Sequence, residues 1–160
     1  VMTICLHWLS KKRDLYIFLG GGILGGAFEF LCSWIQELML GTVSWEYSGT
    51  PFNLQGRTNL LYAFFWGILA LVWVKNLYPL MSRWIEKIPR RIGKPLTWAL
   101  IVFMTANMAV SAAAIARQTA RRSGIPPQNA MERFIDRHYT DELLKIIYPN
   151  MISSEEKPQR

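Results

Sequence analysis

Long apolar runs separated by short polar stretches dominate the first 116 positions of the chain. The first run, residues 15–40, contains neither Lys nor Arg, and a helix over it is long enough to cross a hydrocarbon core of about 30 Å. Two further runs, 58–75 and 95–116, are interpreted as a second and a third span, and Pro95 suits the first turn of the last one. The pattern therefore predicts an all-α integral membrane bundle with three transmembrane helices.

The polar stretches are interpreted from their composition. Residues 1–14 resemble the end of an upstream apolar helix with a basic stop, so the chain is expected to be part of a longer protein. Residues 41–57, rich in Gly, Pro, Ser, Asn and aromatics, predict an interfacial or re-entrant loop. The basic connector 75–94 is typical of a short helix lying on the membrane. Residues 117–160 predict a soluble, partly helical tail that becomes disordered from residue 153.

The charge balance fits a membrane surface better than a nucleic acid. The chain carries 18 Lys and Arg against 11 Asp and Glu, a formal net charge of +7. Its basic residues gather beside the apolar runs, where they can meet anionic lipid headgroups. No RNA- or DNA-binding motif accompanies them. A lipid bilayer is therefore an expected partner and nucleic acid is not, while Cys5 and Cys32, both in apolar segments, are interpreted as unpaired packing residues.

Acidic residues inside the first span are the main candidates for a function. Glu29, Ser33 and Glu37 follow one another at intervals of four and so share one helix face. A carboxylate near mid-span must be protonated, paired or facing a wet cavity. Glu29 is therefore interpreted either as an ion or substrate contact or as half of a buried ion pair with Arg57 that ties two helices together. Glu37 is interpreted as solvated near the interface.

The glycines of the first span fit both a nucleotide motif and a helix-packing motif. Gly20, Gly22 and Gly25 form G-x-G-x-x-G, but the apolar run continues and the strands of a dinucleotide fold are missing. The pairs Gly21/Gly25 and Gly22/Gly26 form G-x-x-x-G, which lets helix backbones approach closely in lipid. We therefore expect these glycines to lie at a helix–helix interface.

The third span repeats the small-residue pattern. Ala109 and Ala113 are expected at a helix interface for the same reason. Asn107 and Ser111 lie beside them, and their polar side chains are expected to hydrogen-bond to a neighbouring helix rather than to a ligand.

Several classes of chemistry lack the residues that they need. His7 and His138 are isolated, without a second His, Cys or carboxylate at metal spacing. The sequence has no credible Ser–His–Asp or Cys–His set and no G-x-x-x-x-G-K-[ST] phosphate loop. The chain is accordingly expected not to be an enzyme and to bind no metal or cofactor. Any ATP-driven role would need a separate ATPase subunit.

A resemblance to a known family rests on residues around and after the first span. The matching pieces are Glu29 in A-F-E-F, Ser33 and Trp34, W-E-Y-S at 45–48, P-F-N-L-Q-G-R at 51–57, K-I-P at 87–89 and I-Y-P-N-M at 147–151. In these pieces, of which P-F-N-L-Q-G-R is the most distinctive, the chain resembles the putative ABC-transporter type IV family, bacterial membrane proteins also labelled CmpB-like permeases. Glu46 stands where members often carry Asp, which keeps the charge.

The resemblance implies a multi-pass protein of the bacterial inner membrane and a permease-like component of an ABC transporter of unknown substrate. A separate ATPase subunit and a second copy of the chain are the expected protein partners. No catalytic residues come with the resemblance. The alternative is a non-transport scaffold or sensor whose cytoplasmic tail binds a partner. Asn53 and Arg57 bring polar groups to the edge of the second span and are added to the candidate residues.

Overall fold

A computed structural model describes residues 2–11 and 13–157 of the chain, so that Lys12 of the predicted basic stop lies outside the described residues. Among these residues three helices are long and apolar enough to cross a membrane. They are α2 (Asp14–Leu40), the continuous helical segment Leu60–Ile85, and α5 (Arg90–Arg122). The all-α fold with three candidate spans, predicted from the apolar runs, is thereby confirmed.

The second span and the predicted surface helix form one continuous helical segment. It consists of α3 (Leu60–Val72), a π-helical stretch (Trp73–Leu77) and α4 (Tyr78–Ile85). Pro79 accounts for the π-helical stretch, because its ring has no N–H and crowds the carbonyl of Lys75. The wider turn, in which the Tyr78 N–H donates to the carbonyl of Trp73, relieves that crowding. The third span likewise begins earlier than predicted, at Arg90, so that Pro95 lies inside α5.

The chain divides into two compact units, and α2 contributes to both, up to Trp34 in the first and from Ile35 in the second. The first unit, residues 1–34 and 47–90, contains α1 (Met2–His7), the hairpin strands β2 (Asn53–Leu54) and β3 (Thr58–Asn59), α3 and α4. Its buried core is made by Leu6, Ile17, Ala70 and Val74.

Glycines on one face of α2 allow α3 to approach closely within this first unit. A Cβ atom added at Gly21 would lie 2.2 Å from the Cβ of Ala70. One added at Gly25 would lie 2.3 Å from the Cγ of Trp66. Real side chains never come so close, so both positions require a residue without a side chain. Hydrogen is therefore the only substituent that this helix pair accommodates at Gly21 and Gly25 without moving apart.

The two other predicted packing glycines differ from each other. A Cβ at Gly22 would meet the carbonyl oxygen of Ala63 at 2.9 Å, which is again too close. A Cβ at Gly26 would lie 3.6 Å from the Thr58 hydroxyl and 3.8 Å from the Cβ of Ala63, which are ordinary contacts. Gly26 is thus the one of the four that could carry a methyl group without displacing a neighbour.

The second unit, residues 35–46 and 91–160, surrounds the C-terminal part of α5. It contains β1 (Thr42–Val43), α6 (Ala130–His138), α7 (Asp141–Ile147), β4 (Ile152–Ser153) and a 3₁₀ turn (Ser154–Glu156). β1 and β4 pair antiparallel, with Thr42 opposite Ser153 and Val43 opposite Ile152. The pairing gives Ile152 and Ser153 a partner strand, and the 3₁₀ turn follows them in the stretch that the sequence predicts to be disordered; residues 158–160 lie outside the described residues.

Ion pairs attach α6 and α7 to the last turns of α5. The buried Arg117 donates from Nε and Nη2 to the two carboxylate oxygens of Asp136, at 3.1 and 2.7 Å. Arg121 bridges Asp136 and Asp141, with both Nη–Oδ1 distances at 2.5 Å. Hydrogen bonds from Arg117 hold the pKa of Asp136 below its usual value, although burial opposes this shift, and Arg121 adds to it.

Candidate functional site

The loop that follows α2 is held in shape by Asn53. The Nδ2 of Asn53 donates to the carbonyls of Thr50 and Ser48, at 2.7 and 3.3 Å. Its Oδ1 accepts from the N–H of Gly56 at 3.0 Å. One amide side chain thus closes the loop on itself and satisfies backbone groups that a membrane interior or interface would leave without water.

A tight hairpin turn lies within the P-F-N-L-Q-G-R segment. Gln55 and Gly56 both have positive φ, 54° and 66°, and the N–H of Arg57 donates to the carbonyl of Leu54 at 3.1 Å. These features define a type I′ turn, whose twist matches that of paired strands. Phe52 also has a positive φ of 54°, rare for a bulky residue, and its side chain is 82% exposed. The turn directs β3 back toward α2.

The hairpin brings two hydroxyl groups to Glu29, which is only 8% exposed. Its Oε1 accepts from the Tyr47 hydroxyl at 3.1 Å, and its Oε2 accepts from the Thr58 hydroxyl at 2.8 Å. Within the described part of the chain, both hydrogen-bond partners of this carboxylate are neutral hydroxyls. Thr58 also precedes the N-cap of α3, Asn59, so the carboxylate lies near a helix N-terminus, where the macrodipole favours a negative charge.

Tyr47 remains a proton donor in this arrangement. Burial raises the pKa of the Tyr47 phenol, and the neighbouring Glu29 carboxylate raises it further. The phenol therefore keeps its proton throughout the neutral range and donates it to the carboxylate.

Arg57 contacts the same face of α2, but one helical turn away from Glu29. Its Nη1 donates to the hydroxyl of the fully buried Ser33 at 3.4 Å, and its guanidinium lies 5.7 Å from the centre of the Phe30 ring. The structure thus differs from the hypothesised Glu29–Arg57 ion pair. The reason is the hairpin, which places Thr58, rather than its neighbour Arg57, against the carboxylate.

Glu29 lies well inside the apolar length of its helix. Asp14, at the start of α2, pairs with Lys75 at 2.7 Å; both are substantially exposed and mark one end of the apolar segment. Fifteen residues separate Asp14 from Glu29, which is about 22 Å along a helix. That distance is shorter than a hydrocarbon core of about 30 Å, so Glu29 belongs to the part of α2 that a candidate span would place inside the membrane.

The Glu29 carboxylate opens onto a cavity of about 420 Å³ in the first unit. We call this cavity the aromatic groove; it is lined by Glu29, Tyr47, Tyr62, Phe65, Trp66 and Leu69. The rings of Tyr47 and Tyr62 stack with their centres 4.7 Å apart, and Phe65 meets Tyr62 edge-on at 6.2 Å. Tyr62, Phe65 and Leu69 are each 41–52% exposed, so the groove is open on its outer side.

Four other predicted site residues belong to the second unit and are not among the described residues that line the groove. Glu37 belongs to the second unit and pairs with Lys157 at 2.9 Å, so that it is held by a cation rather than simply solvated. Asn107 is exposed and donates to the carbonyl of Phe103 in its own helix at 3.0 Å, not to a neighbouring helix. Ala109 is exposed, whereas Ala113 packs against the core of the second unit.

Sequence reasoning missed most of the groove lining. Tyr62, Phe65, Trp66 and Leu69 follow the spacing i, i+3, i+4, i+7, which places them on one face of α3. That aromatic face is visible in the sequence and could have been paired with Glu29. The contribution of Tyr47 could not, because it depends on the turns of the loop.

Thr58→Val tests the hydrogen bond to the buried carboxylate. This substitution keeps the shape of the side chain and removes one donor to Glu29, so we expect it to destabilise the protein by about 1–3 kcal/mol. Thermal unfolding in detergent measures the change. Thr97→Val is the matched control, because Thr97 is exposed and bonds only within its own helix; a loss no larger than in this control would contradict the assignment.

The comparison with known proteins agrees with the resemblance found in the sequence. The model of a family described as Putative ABC-transporter type IV matches residues 1–112, which include the aromatic groove and the loop organised by Asn53. No curated protein and no solved structure matches the chain.

Proposed function

Because this chain belongs to the putative ABC-transporter type IV family and is a membrane protein with transporter-like character, we propose that it is a permease-like subunit of an ATP-driven transporter. We further propose that it spans the bacterial inner membrane several times. ATP hydrolysis is assigned to a separate subunit, since the sequence has no phosphate-binding loop. The chain itself is proposed to have no enzymatic activity.

One observation carries this proposal: a buried carboxylate in the first candidate span that faces a groove. Ionisable groups within spans are costly and mark substrate or ion pathways in most membrane proteins. A purely structural Glu29 would be expected to pair with a cation, as Glu37 does with Lys157. The hydroxyls of Tyr47 and Thr58 instead orient the carboxylate while leaving further acceptor positions on both oxygens. This arrangement supports a substrate contact.

Co-purification from native membranes tests the proposal. The chain, tagged and expressed at its natural level, is expected to retain a protein that contains a G-x-x-x-x-G-K-[ST] loop. After reconstitution, Glu29→Gln is expected to change the ATPase rate of the complex, whereas Glu86→Gln, at an exposed position, is expected to leave it unchanged. Recovery of the tagged protein in pure form, without any ATPase, would contradict the permease assignment.

A non-transport scaffold or sensor is the second candidate, and the exposed apolar residues of the tail favour it. Met131 and Ile146 are 68% and 77% exposed on α6 and α7. A partner other than an ATPase, retained by the full chain and lost when residues 130–147 are deleted, would support this alternative.

The tagged chain purified from native membranes also shows whether copies of the chain associate with one another. The surface that we propose for this self-association consists of the exposed apolar residues of α5 up to position 110.

A further inference from the structure

We propose that the aromatic groove binds an organic cation of the alkylammonium class, with Glu29 as its counter-ion. The binding site stands on the geometry of the first unit alone. Its use as the substrate site of a transporter rests on the proposed function.

The charge of the groove residues favours a cationic ligand. Glu29 is buried in the first candidate span, and the described residues that line the groove with it include no Lys, Arg or His. The hydrogen bonds from Tyr47 and Thr58 come from neutral hydroxyls, so they bring no positive charge to the carboxylate. A ligand that supplies a positive charge at this point would therefore gain a counter-ion in surroundings where the interaction is weakly screened.

The side chains that line the rest of the groove also favour a cation. Four of the six lining residues are aromatic: Tyr47, Tyr62, Phe65 and Trp66. Rings attract cations through their quadrupoles, and cages of such rings are the usual recognition elements for quaternary ammonium groups. Leu69 completes an otherwise apolar wall that suits the alkyl substituents of such a cation. The volume of about 420 Å³ falls within the range of small-molecule sites.

The same geometry argues against other ligands. A divalent metal ion needs several oxygen ligands, and the described residues of the groove offer a single carboxylate and two phenols, of which Tyr47 already donates to Glu29. An anion would meet the negative charge of Glu29. A neutral hydrocarbon would cover the apolar wall but supply neither a hydrogen bond nor a positive charge to the remaining acceptor positions of the carboxylate.

Calorimetric titration of the purified full chain in a maltoside detergent tests this inference. The probes are choline and 3,3-dimethylbutan-1-ol, which has the same shape but carries carbon in place of the charged nitrogen. We expect saturable binding of choline and at least about tenfold weaker binding of the neutral isostere, since the ion pair and the cation–π attraction act only on the charged probe.

Two variants assign the contributions. Glu29→Gln is expected to weaken choline binding at least about tenfold without affecting the neutral isostere. Phe65→Leu, which removes a ring from the groove, is expected to weaken choline binding about threefold. Phe103→Leu is the control, because Phe103 is a similarly exposed ring on α5 that is not among the described residues lining the groove. If Glu29→Gln fails to fold, the comparison of Phe65→Leu with its control variant still tests the inference.

Absence of choline binding, equal binding of the two probes, or unchanged choline affinity in Glu29→Gln would each overturn the inference. These outcomes are separable from the proposed function. An ATPase partner together with absent choline binding would remove only the ligand class, whereas choline binding without an ATPase partner would support the site and remove its role in ATP-driven transport.

Discussion

Gly21→Ala is expected to destabilise the helix pair of the first unit by about 2–3 kcal/mol, because overpacking a close contact forces neighbouring backbones apart. The added methyl carbon would lie 2.2 Å from the Cβ of Ala70 and 3.2 Å from the carbonyl oxygen of Trp66. Helix association in lipid depends largely on van der Waals packing, so the separation also loses contacts along the rest of the interface. Thermal unfolding in detergent measures the loss.

Two further variants make the result specific. Gly26→Ala, on the same helix, adds a methyl group at ordinary contact distance and should not destabilise the protein; a gain of up to about 1 kcal/mol is expected, because alanine has less freedom in the unfolded chain. Gly21→Ala combined with Ala70→Gly restores the missing space on the opposite helix and should recover a large part of the loss. Equal melting of the Gly21 and Gly26 variants would disprove the close approach of α2 and α3.

Arg117→Ala is expected to loosen the attachment of α6 to the end of α5, since it removes two of the three arginine hydrogen bonds to Asp136 and leaves Arg121 as the remaining cation beside that carboxylate. The side chains of Arg117 and Asp136 are 9% and 17% exposed. Hydrogen exchange of residues 130–147 measures the detachment directly. The first unit should keep its protection, because these contacts lie entirely within the second unit.

Arg122→Ala is the control for this prediction. Arg122 is 45% exposed and lies 3.9 Å from Glu156, a surface pair worth about 0–1 kcal/mol. Similar exchange rates in the two variants would show that the buried pair does not hold the tail.

The attachment should also respond to acid. The pKa of Asp136 is lowered from its usual value of 3.8 by the hydrogen bonds from Arg117 and then Arg121. A carboxyl whose pKa is lower in the folded state stabilises that state above its unfolded pKa, and the stabilisation is lost as the pH falls through the folded pKa. Protection of α6 is therefore expected to persist down to about pH 4 and to decline below it, and Asp136→Asn should remove this dependence.

The sequence predicted the spanning helices more accurately than the segments that connect them. A mainly apolar run without Lys or Arg, bounded by Asp14 and Gly41, predicted α2 within one residue, because its length and composition alone indicate a spanning helix. The helical pattern of the connector was also recognised. Its fusion with the second span was not, since the π-helical stretch before Pro79 depends on a local backbone clash that periodicity does not report.

The candidate site was predicted in part. Glu29 and Ser33 stood out because polar residues are conspicuous in an apolar run. Their partners depend on the loop, and there the turn at Gln55 adopts a positive φ that Asn or Gly would have signalled more clearly. A shift of one position along this hairpin separates the expected partner Arg57 from the observed partner Thr58. The spacing of residues along the sequence does not determine tertiary geometry at the scale of one residue.

The pairing of β1 with β4 limits where the chain can be shortened. The family match ends at residue 112, yet the backbone of Thr42 and Val43, inside the matched part, is completed by Ser153 and Ile152. A version that ends at residue 112 would leave β1 without its partner strand and expose the buried side chain of Val43. Both changes favour aggregation. Expression of the minimal family region should therefore retain the polypeptide through residue 157.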